Sequence, residues 1–259
     1  MRLDVGCRLT FEAPWPTGIV LMVSPQSGEA QNVVTEQLVV DPATHVRSYH
    51  DSFGNLCHRL TLPTGRTTVA AAATVDVGDE IDVDPTAPRS EFETIPDWVL
   101  EYCLPSRYCP SDTLYDLAST VTAGALPGYP QVEAIRAWIA STIRYEYGTS
   151  SSTTSALDTI ESRAGVCRDF AHLGIALCRA LQIPARMVVG YLHELVPMDA
   201  HAWFEAFVGD RWYTFDATQP SAKGNRVAVA YGRDAADVAL VTQFGPVALT
   251  EMYVSVDPA

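Results

Sequence analysis

The 259-residue sequence predicts an α+β protein, an N-terminal antiparallel β-sandwich followed by helices packed on an antiparallel sheet. Two patterns predict it. Over the first 80 or so residues, short alternating or β-branched runs are separated by turn residues, the signature of a sandwich. Beyond a proline- and acid-rich stretch at 83–90 the periodicity turns helical and then, after Pro184, returns to strands. The boundaries read from these changes are 1–82 for the β-domain and 91–259 for the second domain, with 83–90 as linker.

In the first domain strands are expected at 3–11, 19–23, 32–40, 45–50, 56–62 and 66–76. The punctuation between them includes Ser24-Pro25-Gln26-Ser27-Gly28, Asp51-Ser52-Phe53-Gly54-Asn55 and Pro63-Thr64-Gly65. In the second domain a short helix is expected at 96–102, and another runs from a cap at Ser111 or Asp112 to about Ala123. Residues 131–145 place Val132, Ile135, Ile139 and Ile143 close to one face, an amphipathic helix. The hydroxyl-rich run 149–155 is a loop, and 166–181 is apolar enough to be a buried helix. Strands follow at 186–192, 201–208 and 212–215, with Gly209-Asp210 as a hairpin turn between the last two.

Composition limits the functions. A formal charge of −14 argues against a nucleic-acid binder, which needs a basic stripe. No segment approaches the roughly 18–20 apolar residues of a membrane span, and the first residues lack a signal-peptide core. A cytoplasmic protein without nucleic-acid or membrane partners is the expectation. Six cysteines without a C-x-x-C pair support neither a disulfide framework nor a structural zinc site. Cys103 and Cys109 could bridge in an oxidising compartment, but reduced, partly buried thiols are the favoured reading.

Three segments carry the chemistry. Gly165 breaks the chain just before a helix, which sets Cys167 in its first turn. Unpaired N–H groups and the positive end of the helix dipole favour a thiolate there and could also hold an oxyanion. His201 opens a strand directly after a loop. Asp216 ends the partner strand of the hairpin, and antiparallel pairing returns it beside His201. Each residue alone has a bland reading: Cys167 as a small core residue like Cys178, His201 as a satisfied histidine, Asp216 as a turn cap. Together they form an oriented nucleophile, base and acid. Binding of zinc by the same three residues lacks an evident fourth ligand.

Other polar residues carry less weight. His172 lies five residues after Cys167 and points away by roughly 140° around the helix. Asp169 complements the dipole of the first turn. Arg233, Asp234 and Asp237 either border the cleft or belong to a solvated loop.

Gly165-Val166-Cys167-Arg168-Asp169-Phe170-Ala171-His172, with Leu181-Gln182-Ile183-Pro184-Ala185-Arg186, His201-Ala202-Trp203 and Phe215-Asp216-Ala217-Thr218, resembles the bacterial transglutaminase-like family. Tyr231 to Val238 is similar to that family's late motif, and the strand-rich start to its N-terminal β-domain. The resemblance implies a papain-like core with a Cys-His-Asp triad at Cys167, His201 and Asp216. Arg168 stands where many members carry Gln and Ala217 where many carry Pro, both outside the triad. The implied chemistry is acyl transfer on a peptide or protein substrate. Water as acceptor gives a cysteine protease or amidase, slightly favoured here; an amine gives protein-glutamine transamidation. A papain-like core used only to bind peptides is the alternative from another class. No metal or organic cofactor is implied. Tyr145, Tyr147 and Trp98 are candidates for a side-chain donor to an oxyanion, with packing roles as the competing reading.

Overall fold

A computed structural model of the chain describes residues 1–220 and 223–259. The first 77 residues supply six strands: β1 (Arg2–Ala13), β2 (Thr17–Leu21), β3 (Gln31–Asp41), β4 (Arg47–His50), β5 (Leu56–Leu62) and β6 (Gly65–Val77). The two-residue side-chain period decides which face is apolar. Leu3, Val5, Cys7, Leu9 and Phe11 of β1 are buried, as are Val69, Ala71, Ala73 and Val75 of β6. Ile19 and Leu21 of β2 and Leu60 and Leu62 of β5 join them in one core. Burying each such aliphatic or aromatic side chain contributes about 1.5–3 kcal/mol against leaving it in water.

The helices come next: α1 (Asp97–Leu100), α2 (Tyr115–Val121), α3 (Tyr129–Thr142), α4 (Ala156–Ser162) and α5 (Cys167–Ala180). Two-residue strands β7 (Arg144–Tyr145) and β8 (Ala164–Gly165) pair in parallel just before α5. Then β9 (Ala185–Leu192), β10 (His201–Val208), β11 (Arg211–Phe215) and β12 (Arg226–Gly232) form an antiparallel sheet in the order β11-β10-β9-β12. Every α5 residue from Asp169 to Ala180 is buried. Gly174 lets the helix approach the sheet, since a Cβ there would lie 2.5 Å from Phe204 Cε1. Arg179 is wholly buried yet satisfied, because its guanidinium donates to the carbonyls of Ala185, Leu104 and Arg233 and to Ser106 Oγ. Among the described residues no helix is long and apolar enough to cross a membrane.

Two features depart from the expected organisation. The segment 91–259 does not all belong to the second domain. β13 (Val241–Gln243) pairs with β2, and β14 (Ala248–Pro258) pairs with β1 from Leu3↔Pro258 to Glu12↔Ala248. The sandwich is thus two four-stranded sheets, β14-β1-β6-β3 and β13-β2-β5-β4, each completed from the far end of the chain. Nor is 83–90 a free tether. Ala87 is buried, its carbonyl accepts Tyr129 N–H at 3.0 Å, and Pro88 O accepts Gly209 N–H at 2.8 Å. Gly128, at φ 107°, is required where this segment passes, because a Cβ would lie 2.3 Å from Ala87 O.

Two side-chain amides fasten the β-domain to the core at β12. Gln31 Nε2 donates to Ala228 O at 2.7 Å while its Oε1 accepts Ala228 N–H at 2.8 Å. Asn55 does the same with Tyr231, at 2.8 Å in both directions. Each amide imitates a neighbouring strand on a sheet edge that would otherwise leave donors and acceptors open.

Candidate active site

The N-terminus of α5 is built by a short-range cap. Asp169 Oδ2 accepts Val166 N–H at 2.9 Å, and its Oδ1 accepts the Ser150 hydroxyl at 2.9 Å. Arg168 Nη2 donates to the same Ser150 Oγ at 2.7 Å and so ties down the 149–155 loop. Gly165 makes room for the cap, since a Cβ there would lie 2.8 Å from Asp169 Cβ and 3.0 Å from its Oδ2. Cys167 and Arg168, as the first two residues of α5, keep N–H groups that no helix carbonyl takes up. Cys167 is half-buried at this end of the helix.

His201 and Asp216 are brought together by the β10–β11 hairpin. Gly209 and Asp210 at its tip have φ of 56° and 60°, the left-handed pair that suits the twist of a two-residue hairpin. The register then runs from Val208↔Arg211 to Phe204↔Phe215. Asp216, one residue past the strand, accepts His201 Nε2–H on Oδ2 at 2.7 Å. Its Oδ1 accepts Thr218 N–H at 2.9 Å and Thr218 Oγ1–H at 2.7 Å. Spending Nε2 on the carboxylate leaves Nδ1 as the ring nitrogen open to a thiol.

Cys167 and His201 line one cleft of about 520 Å3 with Tyr145, Tyr147, Val196 and Thr218. Burial opposes charge on the imidazole. Hydrogen bonds to Asp216 and Cys167, with their negative charge, outweigh it and raise His201 to about 9. Burial likewise opposes charge on Asp216, but His201, Arg226 and Thr218 hold its carboxyl well below the usual range. Tyr145 is pushed up by burial, by the charge of Cys167 and by its hydrogen bond to Tyr147.

The remaining sequence candidates separate clearly. Tyr145 and Tyr147 stand in the cleft, whereas Trp98 lies against Trp212 with ring centroids 6.4 Å apart, outside it. His172 is buried and stacks on Tyr108 at 5.0 Å, its Nε2 accepting Ala235 N–H. Burial and the nearby Arg168 and Arg179 charges push it down to about 3, so it stays neutral. Asp234 belongs neither to the cleft nor to a solvated loop. It is buried and accepts the N–H groups of Tyr108 and Ala236, while Arg233 and Asp237 pair with each other at 2.8 Å. Cys103 and Cys109 are both free thiols. Sequence reasoning missed Ser150 and Arg226. Thr218 had a readable signal in its Asp-x-Thr spacing, which makes an Asx-type turn.

A thiol at a helix N-terminus facing a histidine and a carboxylate from adjacent antiparallel strands is the arrangement of thiol-dependent enzymes. The chain belongs to the transglutaminase-like superfamily: residues 115–217 match its core, and residues 8–77 match the bacterial transglutaminase-like N-terminal region. It is similar to the solved structure of a candidate cysteine protease from Cytophaga hutchinsonii, 38% identical, with a TM-score of 0.93 over 99% of this chain and 90% of that one. Among curated relatives, uncharacterized proteins of Mycobacterium leprae and Mycobacterium tuberculosis are each 28% identical. The matches cover 92% and 83% of this chain, and 90% and 77% of those proteins.

Proposed function

We propose that the chain catalyses acyl transfer from peptide amides, with Cys167 as nucleophile, His201 as base and then acid, and Asp216 as the group that orients it. The observation that carries the reading is the 2.7 Å hydrogen bond from His201 Nε2 to Asp216, made beside a thiol at the start of α5. Cys167 first cedes its proton to His201, and the thiolate then attacks the amide carbonyl. The C–N bond then breaks, the amine leaves with the His201 proton, and a thioester remains on Cys167. The free N–H groups at the start of α5 are suited to the oxyanion of the tetrahedral intermediate. Water attacking the thioester completes hydrolysis, which we favour over transamidation because water is always at hand. The substrates are peptides or proteins, and the compartment we assign is the cytoplasm.

The test is covalent trapping. The protein is incubated with a mixed peptide pool, quenched in acid and weighed by intact-mass spectrometry, with Cys167→Ala as control. Acyl adducts on Cys167 are expected, and adding a fluorescent primary amine with glutamine-bearing peptides separates transamidation from hydrolysis. An absence of adducts, together with alkylation of Cys167 no faster than that of Cys103, would sink the proposal.

A further inference from the structure

Asp216 has a second cationic neighbour. Arg226 opens β12, which is separated by β9 from the hairpin that carries His201 and Asp216. Its Nη2 lies 2.9 Å from Asp216 Oδ2, the same oxygen that takes His201 Nε2–H. The Arg226 side chain is 6% exposed and that of Asp216 4%. Arg226 Nε donates to Lys223 O at 2.9 Å, and its guanidinium lies 5.0 Å from the ring centre of Trp203. The His201 ring lies 6.1 Å from that of the same Trp203. Nη1 and Nη2 have no hydrogen-bond acceptor in good alignment among the described residues. The guanidinium therefore acts on Asp216 chiefly as a charge. Asp216 and Arg226 also line a second cavity, of about 430 Å3, that shares no lining residue with the cleft of Cys167.

A buried carboxylate with an imidazolium as its sole counterion would bind that imidazolium's proton tightly and would be left uncompensated whenever the proton departs. The proposed reaction needs the proton to depart and return. A permanent cation on the same oxygen removes both difficulties, because arginine does not titrate in the working range. Among the described residues, the other titratable or charged groups near the pair are Cys167 from α5, Asp199 in the cleft beside His201, and Arg136 and Glu133 from α3, which pair with each other; Tyr145 of β7 faces Cys167.

We propose that Arg226 is a positioning residue of this site, which keeps Asp216 charged and limits how firmly His201 holds its proton. The inference rests on the acyl-transfer reading for its purpose, but its test does not require turnover. His201 is titrated by NMR in the full chain carrying imidazole-labelled histidine, its signal assigned with His201→Ala. Arg226→Gln and Arg226→Lys are compared with the parent. In Arg226→Gln the His201 titration moves upward by about one pH unit, the scale of losing one like charge nearby. In Arg226→Lys it stays near the parent value. A His201 titration that is unmoved or lowered in Arg226→Gln overturns the proposal.

If Arg226→Gln does not fold, the double variant Asp216→Asn/Arg226→Gln decides. A coupled pair predicts that this double is folded and more stable than Asp216→Asn alone, which leaves a buried cation without its partner. A double variant no more stable than Asp216→Asn overturns the proposal. Alkylation of Cys167 by iodoacetamide, run in parallel, separates the two ideas. A slow Cys167 defeats the acyl-transfer reading, whereas a fast Cys167 with an indifferent His201 titration defeats only the role of Arg226.

Discussion

His201 and Asp216 sit fifteen residues apart in sequence and 2.7 Å apart in space, joined Nε2 to Oδ2 across the open end of a hairpin. That bond makes both activity and stability depend on pH in a defined direction. His201 is raised to about 9 from 6.5, so its stabilising contribution is fully present below about 6.5 and is lost as pH rises through about 9. Asp216 is held low, so its contribution is present above its ordinary value of 3.8 and is lost as pH falls below that. Thermal denaturation of the parent and Asp216→Asn should therefore differ most between about pH 4 and 6.5, and the gap should narrow towards pH 9 and above. A gap that widens with alkaline pH contradicts the assignment. For turnover, kcat/KM should fall above about pH 9, where His201 no longer carries the proton that the leaving amine needs.

Cys167→Ala should abolish acyl transfer and leave the fold intact, because the side chain is half-buried at a helix end. Cys178→Ala should do the reverse. Cys178 is fully enclosed in α5, and its loss should cost roughly 1 kcal/mol while turnover survives. Circular dichroism and denaturant titration, set beside the trapping assay, check both halves. Turnover by Cys167→Ala would remove it from the mechanism.

His201→Ala should lower kcat by several orders of magnitude and Asp216→Asn by less. In the double variant the two losses should overlap strongly rather than multiply, as for groups that act as a unit. Independent losses would mean that the 2.7 Å contact is structural only.

How much of this was legible in the sequence follows from the range of each interaction. The strands of the sandwich and the long helices announce themselves by local period, and Gly209-Asp210 by the turn it requires. The hairpin then brings Asp216 to His201 with no long-range information. Gly165 and Asp169 are four residues apart, so the cap of α5 is local as well. Arg226 is different. Its approach to Asp216 depends on β12 pairing with β9, and nothing in the spacing from 216 to 226 encodes that. The same holds for residues 241–258, which fall within the 91–259 span of the second domain by sequence, because their partners in β1 and β2 lie more than two hundred residues away. Asp234 reads as a cleft or solvated-loop residue; its burial is not legible, because the backbone N–H groups of Tyr108 and Ala236 that it accepts are fixed only by the fold.

Gly165→Ala should impair both the cap and the chemistry. The new methyl group would displace Asp169 from Val166 N–H, costing about 1–2 kcal/mol for a lost cap. It would also shift Cys167, two residues on, relative to His201. Urea denaturation and the alkylation rate of Cys167 read the two effects separately. An unchanged alkylation rate would show that the cap does not set the position of the thiol.

The pairing of β14 with β1 gives synthesis on the ribosome an order of events. From the moment it emerges, β1 carries one edge that only residues 248–258 can cover. The core segment from α2 to β12 is meanwhile complete and able to collapse around α5. The β-domain must therefore wait, with an open strand edge of the kind that recruits foreign strands, until residues 248–258 have been made. Chaperone demand during translation should fall on the β-domain, although its first six strands precede the core, and not on the half that holds the thiol.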